Sequence, residues 1–353
     1  MSEARWLVLQ EGARRRWGGD IRRALILAPL AERTSAVVAN GWTPAVIRDG
    51  IRRARRPGLG VGRRRPPPRL ASAELLPATG LDELLGAVEP MLLDVHDDPL
   101  AQRSLLGIDG SDPGLERRWR TNVAAFHWLV APSASFAELA GLPATRTIVV
   151  SNGTDPRHVV AGPPPDRPAI GVVSGAAPGR GIETLVAAAR LLRSDHPDLV
   201  LHLWLAAPND PARAYLERLA ADLAGDAWIE IGPAPYDRLG AVLGRATVLC
   251  VPHPPGAYFD AAMPVKLFDS MAAARPVVVT PRTEMAAVVR RTSSGAVAEG
   301  DRPEDLADAI APFLDDADRA GAAGAAGRRA AERDYDWRLL GSALADAVLE
   351  RLG

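Results

Sequence analysis

Lysine is almost absent from this chain of 353 residues: among its 42 lysine and arginine residues, only Lys266 is a lysine. A bias this strong is typical of a codon preference acting on the whole sequence, so one remaining lysine is compatible with chance. Lysine and arginine differ, however, where a compact ammonium group must touch an anion at close range. The surroundings of Lys266 therefore decide whether it has a function.

Cysteine, net charge and long apolar runs are also scarce. Cys250 is the only cysteine, which excludes an intrachain disulfide, and its apolar neighbours predict a buried strand thiol. The formal net charge of −1 argues against a nucleic-acid partner. No apolar run approaches the roughly 20 residues of a membrane-spanning helix, and the start of the chain does not resemble a leader. We expect a cytoplasmic protein, soluble or peripheral at a membrane.

The length favours two domains. Short β-rich runs alternate with longer helical patterns in both halves of the chain, which is typical of parallel sheets with crossover helices. The proline-rich "GPPPDRP", residues 162–168, is the best candidate linker. The predicted fold class is therefore α/β, with two Rossmann-like domains at residues 1–163 and 164–334 and a terminal amphipathic helix within residues 335–353.

Two polar stretches have competing interpretations. "PGLGVGRRRPPPR", residues 57–69, predicts a mobile surface loop, and its arginines Arg63–Arg65 are either solvated or bind an acidic ligand or membrane surface. "DVHDD" contains two adjacent carboxylates, but Asp97 and Asp98 follow a strand end, where a turn and a helix cap are the usual roles. We predict no metal site there.

The segment around Lys266 reads "MPVKLFDSMAAARPVVVTP", residues 263–281. It follows a predicted strand and loop, and Pro264 is suited to the first turn of a helix. A helix start offers free N–H groups and a positive dipole end to a phosphate. Lys266 and Asp269 would share one face, either as a phosphate cation beside an acceptor for sugar hydroxyls or as a surface ion pair.

This segment resembles the donor-site signature of nucleotide-sugar glycosyltransferases with two Rossmann-like domains, the GT-B fold of the "glycosyl transferases group 1" type. Further stretches agree in order along the chain: "WGGDIRRALILAPLAER", "LLDVHDD", "VSNGTD", "GAAPGRGIETLVAAARLL", "SSGAVAEGDRPEDLADAIAPFLDD" and "DYDWRLL". The resemblance covers most of residues 145–353 and is weaker upstream. It implies two domains facing across a cleft, with the C-terminal helix returning to the N-terminal, acceptor-binding domain and the second domain binding the donor.

The resemblance implies roles for individual residues of the second domain. Lys266 and Arg180 would bind the donor diphosphate, with Arg180 where the family usually has lysine. Asp269 stands where a glutamate normally accepts hydrogen bonds from the ribose. Gly232 falls where backbone groups meet the base.

In the first domain, Gly18 and Gly19 would let a turn approach the diphosphate, since glycine lacks a Cβ. His96 would lie near the reacting sugar carbon as the catalytic residue. A histidine that is simply satisfied at a strand end is the alternative interpretation of His96.

Three residues depart from the family pattern. Asp269 is one methylene shorter than glutamate, Ala261 replaces a glutamate that many relatives carry, and Ala274 replaces a helix-ending glycine at a cost of about 1 kcal/mol if the left-handed cap is kept. His253, in the same loop as Ala261, either compensates at the sugar or is an exposed loop histidine.

The implied function is transfer of a sugar from a nucleoside diphosphate sugar to an unknown acceptor, with retention of configuration and with neither a metal nor another cofactor. The cations and the helix start would neutralise the departing diphosphate. A catalytically silent nucleotide-binding scaffold and a sugar-nucleotide epimerase on the same fold are the alternatives.

Overall fold

The computed structural model describes residues 5–10, 18–55, 67–73, 75–77, 81, 84, 88–98, 100–101 and 112–352. The predicted arginine loop, Arg63–Arg65, lies outside these residues.

The chain forms two compact units. The first comprises residues 1–151 and 337–353, and the second comprises residues 152–336. Residues 152–163, which the sequence assigned to the first domain, belong to the second unit because they are bonded to it. The Thr154 amide donates to the Tyr335 carbonyl at 2.9 Å, and the Arg275 guanidinium donates to the carbonyl oxygens of Gly162 and Pro163 at 2.8 and 2.9 Å.

The first unit is built on a parallel sheet of six strands in the order β2-β1-β3-β4-β5-β6. The strands are β1 (Trp6–Gln10), β2 (Val37–Asn40), β3 (Arg69–Ser72), β4 (Met91–Asp94), β5 (Trp128–Ala131) and β6 (Thr147–Val149). The helices described before residue 152 are α1 (Gly18–Leu25), α2 (Ala28–Arg33), α3 (Pro44–Arg55), α4 (Pro113–Ala125) and α5 (Ala134–Leu139), with a 3₁₀ turn at Ala144–Arg146.

The second unit repeats this plan with a parallel sheet in the order β12-β11-β10-β7-β8-β9. Its strands are β7 (Ala169–Gly175), β8 (Val200–Ala206), β9 (Ile229–Gly232), β10 (Val248–Val251), β11 (Val277–Val279) and β12 (Gly295–Val297). Its helices are α6 (Ile182–Leu192), α7 (Asp210–Asp222), α8 (Leu239–Leu243), α9 (Ala257–Ala261), α10 (Val265–Ala272), α11 (Thr283–Thr292), α12 (Pro303–Asp315) and α13 (Ala317–Asp334), with a 3₁₀ turn at Tyr236–Arg238.

The C-terminal helix α14 (Trp337–Glu350) belongs to the first unit, where it packs on α1 and α2. Gly341 permits this close approach, because a Cβ there would come within 2.9 Å of the Pro29 ring. The predicted α/β fold with two Rossmann-like domains and a returning helix is confirmed.

Several local predictions were less accurate. The residues "DIRRALILAPLAER" have a helical pattern throughout, but the structure has α1 and α2 with a break before Pro29, which cannot donate a backbone hydrogen bond. The residues "LERRWRTNVAAFHWL" also have a helical pattern, but the helix ends at Ala125 and Trp128 already begins β5. The strand β3 begins at Arg69, the last residue of the predicted loop 57–69, where the preceding prolines concealed it.

Candidate functional site

In the second sheet, the direction in which successive strands are added reverses between β7 and β10. From β7 the strands proceed outward through β8 to β9, and from β10 they proceed the other way through β11 to β12. At such a reversal the loops after the two central strands diverge to opposite faces and leave a crevice at the carboxyl edge, where ligands of α/β proteins commonly bind. The loops after β7 and β10 are therefore the first place to look for a site.

The loop after β7 carries Arg180 between two glycines with positive φ. Gly179 has a φ of 69° and Gly181 has a φ of 76°. A Cβ on Gly181 would lie 1.6 Å from the carbonyl oxygen of Pro252, the residue that follows β10. Only glycine permits this contact, which fixes the first loop against the second. Arg180 consequently lies at the reversal point, immediately before the start of α6.

Lys266 lies in the first turn of α10, with Pro264 as the N-cap residue. Its Nζ donates a 3.2 Å hydrogen bond to Oγ of Ser174 in β7. Burial and the positive charge of Arg180 lower the pKa of Lys266 to about 7. Lys266 is thus a half-buried cation bonded to a hydroxyl, and the alternative interpretation of Lys266 and Asp269 as a surface ion pair is wrong, since Asp269 is buried and bonded to Thr154.

Asp269 is buried one turn further along α10, with 8% of its surface exposed. Its Oδ1 accepts a 2.7 Å hydrogen bond from the hydroxyl of Thr154, in the "SNGTD" stretch. Burial raises the pKa of Asp269 to about 7, although the bond from Thr154 opposes this shift. Oδ2 accepts no hydrogen bond from any residue that the structure describes, so it is available to a ligand.

His253 is buried in the loop after β10, so its interpretation as an exposed loop histidine is wrong. Only 2% of the residue is exposed, and its ring lies 4.6 Å from that of Phe259. Both ring nitrogens lack a hydrogen-bond partner among the residues that the structure describes. Burial and the charges of Lys266, Arg180 and Arg282 lower the pKa of His253 well below its usual value, which keeps the ring neutral near pH 7.

Gly232 ends β9, the outer strand next to β8, and pairs with Trp204. A Cβ on Gly232 would meet no atom within 4 Å, so there is open space beside its Cα at the carboxyl edge of the sheet. Ala274 ends α10 with a φ of 53°, which shows that the left-handed cap is kept without glycine. Cys250 is buried in β10, as predicted.

The first unit has a buried charge cluster around His96, just beyond the carboxyl end of β4. Asp94 accepts hydrogen bonds of 2.9 and 2.7 Å from Nε and an Nη atom of Arg22 in α1. Burial alone would raise the pKa of Asp94, but the charge of Arg22 and the contact with His96 lower it to about 2. Nδ1 of His96 lies 3.4 Å from Asp94 and Nε2 lies 3.5 Å from Arg23.

Sequence reasoning identified His96 but missed Arg22 and Asp94. Asp94 offered a weak signal, because it ends a short strand whose other residues are apolar and buried. Gly18 and Gly19 form the first turn of α1, upstream of Arg22. Their predicted contact with the diphosphate stays a prediction.

Asp98 caps the helical turn that follows β4, as predicted, since its Oδ1 accepts from the Leu100 and Ala101 amides at 2.9 and 3.1 Å. Within the described ranges, no three histidine, cysteine, aspartate or glutamate side chains are grouped so as to hold a metal ion. No helix in the same ranges is long and apolar enough to cross a bilayer.

Comparison with solved structures defines the class of fold. The chain superimposes on sucrose-phosphate synthase from Thermosynechococcus elongatus with a TM-score of 0.73 at 15% identity, covering 99% of both chains. It superimposes on HepE from Anabaena in complex with UDP-glucose with a TM-score of 0.70 at 15% identity, covering 99% of this chain and 100% of that one. The fold is that of the GT-B glycosyltransferases.

Sequence comparison adds the family. Residues 167–316 match the family model "Glycosyl transferases group 1", so the second unit carries the domain of that family, and the resemblance read from the motifs is confirmed. A mannosyltransferase of Mycobacterium tuberculosis, described as GDP-mannose-dependent alpha-(1-6)-phosphatidylinositol monomannoside mannosyltransferase, is 31% identical over 186 residues, which are 51% of this chain and 47% of that protein. The chain spans about half the length of the curated relatives it matches.

Proposed function

We propose that the protein is a glycosyltransferase that moves a sugar from a nucleoside diphosphate sugar to an acceptor. The observation that carries this proposal is the placement of Lys266 and Arg180 at the strand reversal of the second unit. Lys266 opens α10 and Arg180 precedes α6, so two helix starts add their N–H groups to the two cations. This combination suits a diphosphate.

The low pKa of Lys266 supports an anionic ligand. A half-buried lysine whose pKa is about 7 is poorly compensated in the free protein, because burial and Arg180 both disfavour its charge. A bound diphosphate would restore full protonation of Lys266. Lys266 and Arg180 would then neutralise the negative charge of the diphosphate without a divalent ion. The same contacts would stabilise the charge that develops on the leaving oxygen during transfer.

The remaining assignments of the donor site follow from position. Oδ2 of Asp269 is proposed to accept from the ribose, and the backbone at Gly232 is proposed to meet the base. His96 stays the proposed catalytic residue of the first unit, with Nδ1 at 3.4 Å from Asp94. Retention of configuration stays a prediction of the resemblance, and NMR of the product anomer would test it.

The sugar acceptor and the place in the cell where the protein acts are proposed from its relatives. The mycobacterial relative is named for a phosphatidylinositol monomannoside, so we propose an acceptor with a lipid or polyol headgroup and peripheral contact with an anionic membrane. Arg52 on α3 is exposed but pairs with Asp49 at 2.6 Å, so membrane contact would require it to exchange this carboxylate for anionic headgroups. Sedimentation with vesicles that contain phosphatidylinositol tests it, and vesicles of phosphatidylcholine are the control.

One observation favours a second function, a nucleotide-binding scaffold without catalysis. Thr154 already occupies Oδ1 of Asp269, and Ala261 has no carboxylate with which to hold a sugar. The scaffold would bind a nucleoside diphosphate but would neither transfer nor hydrolyse the sugar.

A two-stage experiment tests the proposal. Thermal shift with UDP, GDP, UDP-glucose and GDP-mannose would identify the donor, and release of nucleoside diphosphate with and without phosphatidylinositol would then measure turnover. Lys266→Ala should abolish the shift, whereas the control Arg190→Ala, on the exposed face of α6, should retain it. Binding without turnover for every acceptor tried would favour the scaffold, and no binding at all would contradict both functions.

A further inference from the structure

The His253 ring is a buried hydrogen-bonding group without a partner in the part of the chain that the structure describes. Its exposure is 2%, and neither Nδ1 nor Nε2 has a hydrogen bond to a described residue. Buried polar groups are nearly always paired, so each exception requires a cause. The loop itself is fixed, because the Thr280 hydroxyl donates to the His253 carbonyl at 2.5 Å and the Phe259 ring packs against the imidazole at 4.6 Å. The ring is therefore held in place while its nitrogens remain free.

The neighbouring charges determine the protonation state of this ring. Lys266, Arg180 and Arg282 all disfavour a further positive charge, in addition to the effect of burial. Arg282 is itself paired with Asp301 at 2.6 and 2.8 Å. The imidazole is therefore neutral, with one nitrogen that donates and one that accepts.

The need for both a donor and an acceptor selects the ligand chemistry. Diphosphate oxygens only accept, so they would satisfy the nitrogen that donates and leave the nitrogen that accepts without a donor. Lys266 and Arg180 already serve an anion at this edge of the sheet. A sugar hydroxyl both donates and accepts, and adjacent hydroxyls can satisfy both nitrogens. A contact with sugar hydroxyls also fits the position of His253, because the loop after β10 borders the strand reversal at which Lys266 and Arg180 lie.

We infer that His253 binds hydroxyl groups of the transferred sugar and so contributes to the choice of donor sugar. This inference rests on the proposed glycosyltransferase function and extends it, since it assigns a sugar contact to a loop whose Ala261 has no polar side chain.

The test compares a nucleotide with and without its sugar, using UDP with UDP-glucose and GDP with GDP-mannose. In His253→Phe, affinity for the nucleotide sugar should fall about tenfold, while affinity for the free nucleotide should stay within about twofold. His253→Leu repeats the measurement with a smaller apolar side chain in case phenylalanine is too large. His202→Phe, at a buried histidine on β8, is the matched control and should change neither affinity.

Deoxygenated donors locate the contact. For the pair that binds, monodeoxy nucleotide sugars should include at least one analogue that the unmodified protein binds about tenfold more weakly than the parent, and His253→Phe should bind that analogue and the parent equally. Equal loss of nucleotide and nucleotide sugar would overturn the inference in favour of a diphosphate contact, and no loss of either would also overturn it. If the unmodified protein binds neither pair, the proposed function itself fails.

Discussion

The hydroxyl of Thr154 donates a 2.7 Å hydrogen bond to Oδ1 of Asp269, and both residues are buried. The bond joins the first segment of the second unit to α10. It also favours the carboxylate form of Asp269, although burial still raises the pKa of this group to about 7. The pair therefore couples the protonation of one carboxyl group to the stability of the second unit.

We predict that Asp269→Asn removes a pH dependence of stability. The folded-state pKa of Asp269 lies above its unfolded value, so its contribution is greatest when it is protonated and is lost as pH rises from about 4 to about 7. The difference in unfolding free energy across that window is on the order of 2 to 4 kcal/mol. Urea unfolding of the variant at pH 5 and pH 8, with the exposed Asp195→Asn as control, checks this.

Thr154→Val tests the hydrogen bond between Thr154 and Asp269 by removing its donor. Loss of the hydroxyl removes the bond that lowers the pKa of Asp269, so the variant should lose more stability at pH 8 than at pH 5. A loss of about 1 kcal/mol is expected at the higher pH. An equal loss at both pH values would show that Thr154 acts through packing alone.

Ala274→Gly should stabilise the second unit. Ala274 adopts a φ of 53° at the end of α10, where a side chain is strained and glycine is not. The expected gain is about 0.5 to 1 kcal/mol, measured by urea unfolding. Ala273→Gly, at the C-cap residue with a φ of −71°, is the control and should destabilise the protein; a gain in both variants would contradict the explanation.

Arg22→Met should strongly destabilise the first unit. Arg22 is fully buried and donates to Asp94 and to the Val150 and Ser151 carbonyl oxygens. Its removal leaves a buried carboxylate without a countercharge, at a cost of about 3 to 5 kcal/mol. The double variant Arg22→Met with Asp94→Leu should recover a substantial part of that loss. No recovery would mean that the carbonyl contacts, and not the ion pair, explain the stability.

His96→Ala should lower turnover far more than donor affinity. The ring lies at a strand end, 3.4 Å from the buried Asp94 carboxylate, and the proposed role concerns the reacting carbon and not the diphosphate. We expect kcat to fall by about 100-fold or more with the donor Kd changed less than threefold. Steady-state kinetics and calorimetry separate the two effects, and parallel losses would show that His96 is only a binding or structural residue.

The sequence predicted those features that depend on neighbours along the chain. Periodicity sufficed for the alternating strands and helices, and the proline at the start of α10 correctly placed Lys266 in its first turn. Ala274 kept the left-handed cap because the surrounding chain requires that turn, whichever residue occupies it.

Contacts between distant segments were not predictable in this way. Arg22 pairs with Asp94, 72 residues away, and the partner of Asp269 is 115 residues away. Besides the carbonyl oxygens of its neighbours Ala273 and Ala274, Arg275 donates to four distant ones, those of Gly162, Pro163, Gly244 and Ala246, which only the folded chain brings together. The burial of His253 depends likewise on how the loop after β10 packs, and loop composition alone suggested exposure.

Lys266→Ala should weaken binding of the nucleoside diphosphate by about tenfold to a hundredfold, because it removes a charge-assisted contact. Fold stability should not fall, since burial and Arg180 disfavour the Lys266 charge in the free protein. Calorimetric titration with UDP and GDP measures the affinity, and thermal unfolding without ligand provides the control. Unchanged affinity would exclude Lys266 from the diphosphate site.

The pH dependence of binding separates lysine from arginine at this position. The pKa of Lys266 is about 7 in the free protein, and a bound diphosphate would raise it, so binding takes up a proton above pH 7. Donor affinity should therefore fall as pH rises from 7.5 to 9, by up to about tenfold per unit.

Lys266→Arg stays charged throughout and should bind with little dependence on pH in this range. It should nevertheless turn over more slowly, because the broad guanidinium cannot occupy the position of the ammonium beside Ser174. If the arginine variant matches the unmodified protein in both pH dependence and turnover, the only lysine of this chain has no special role.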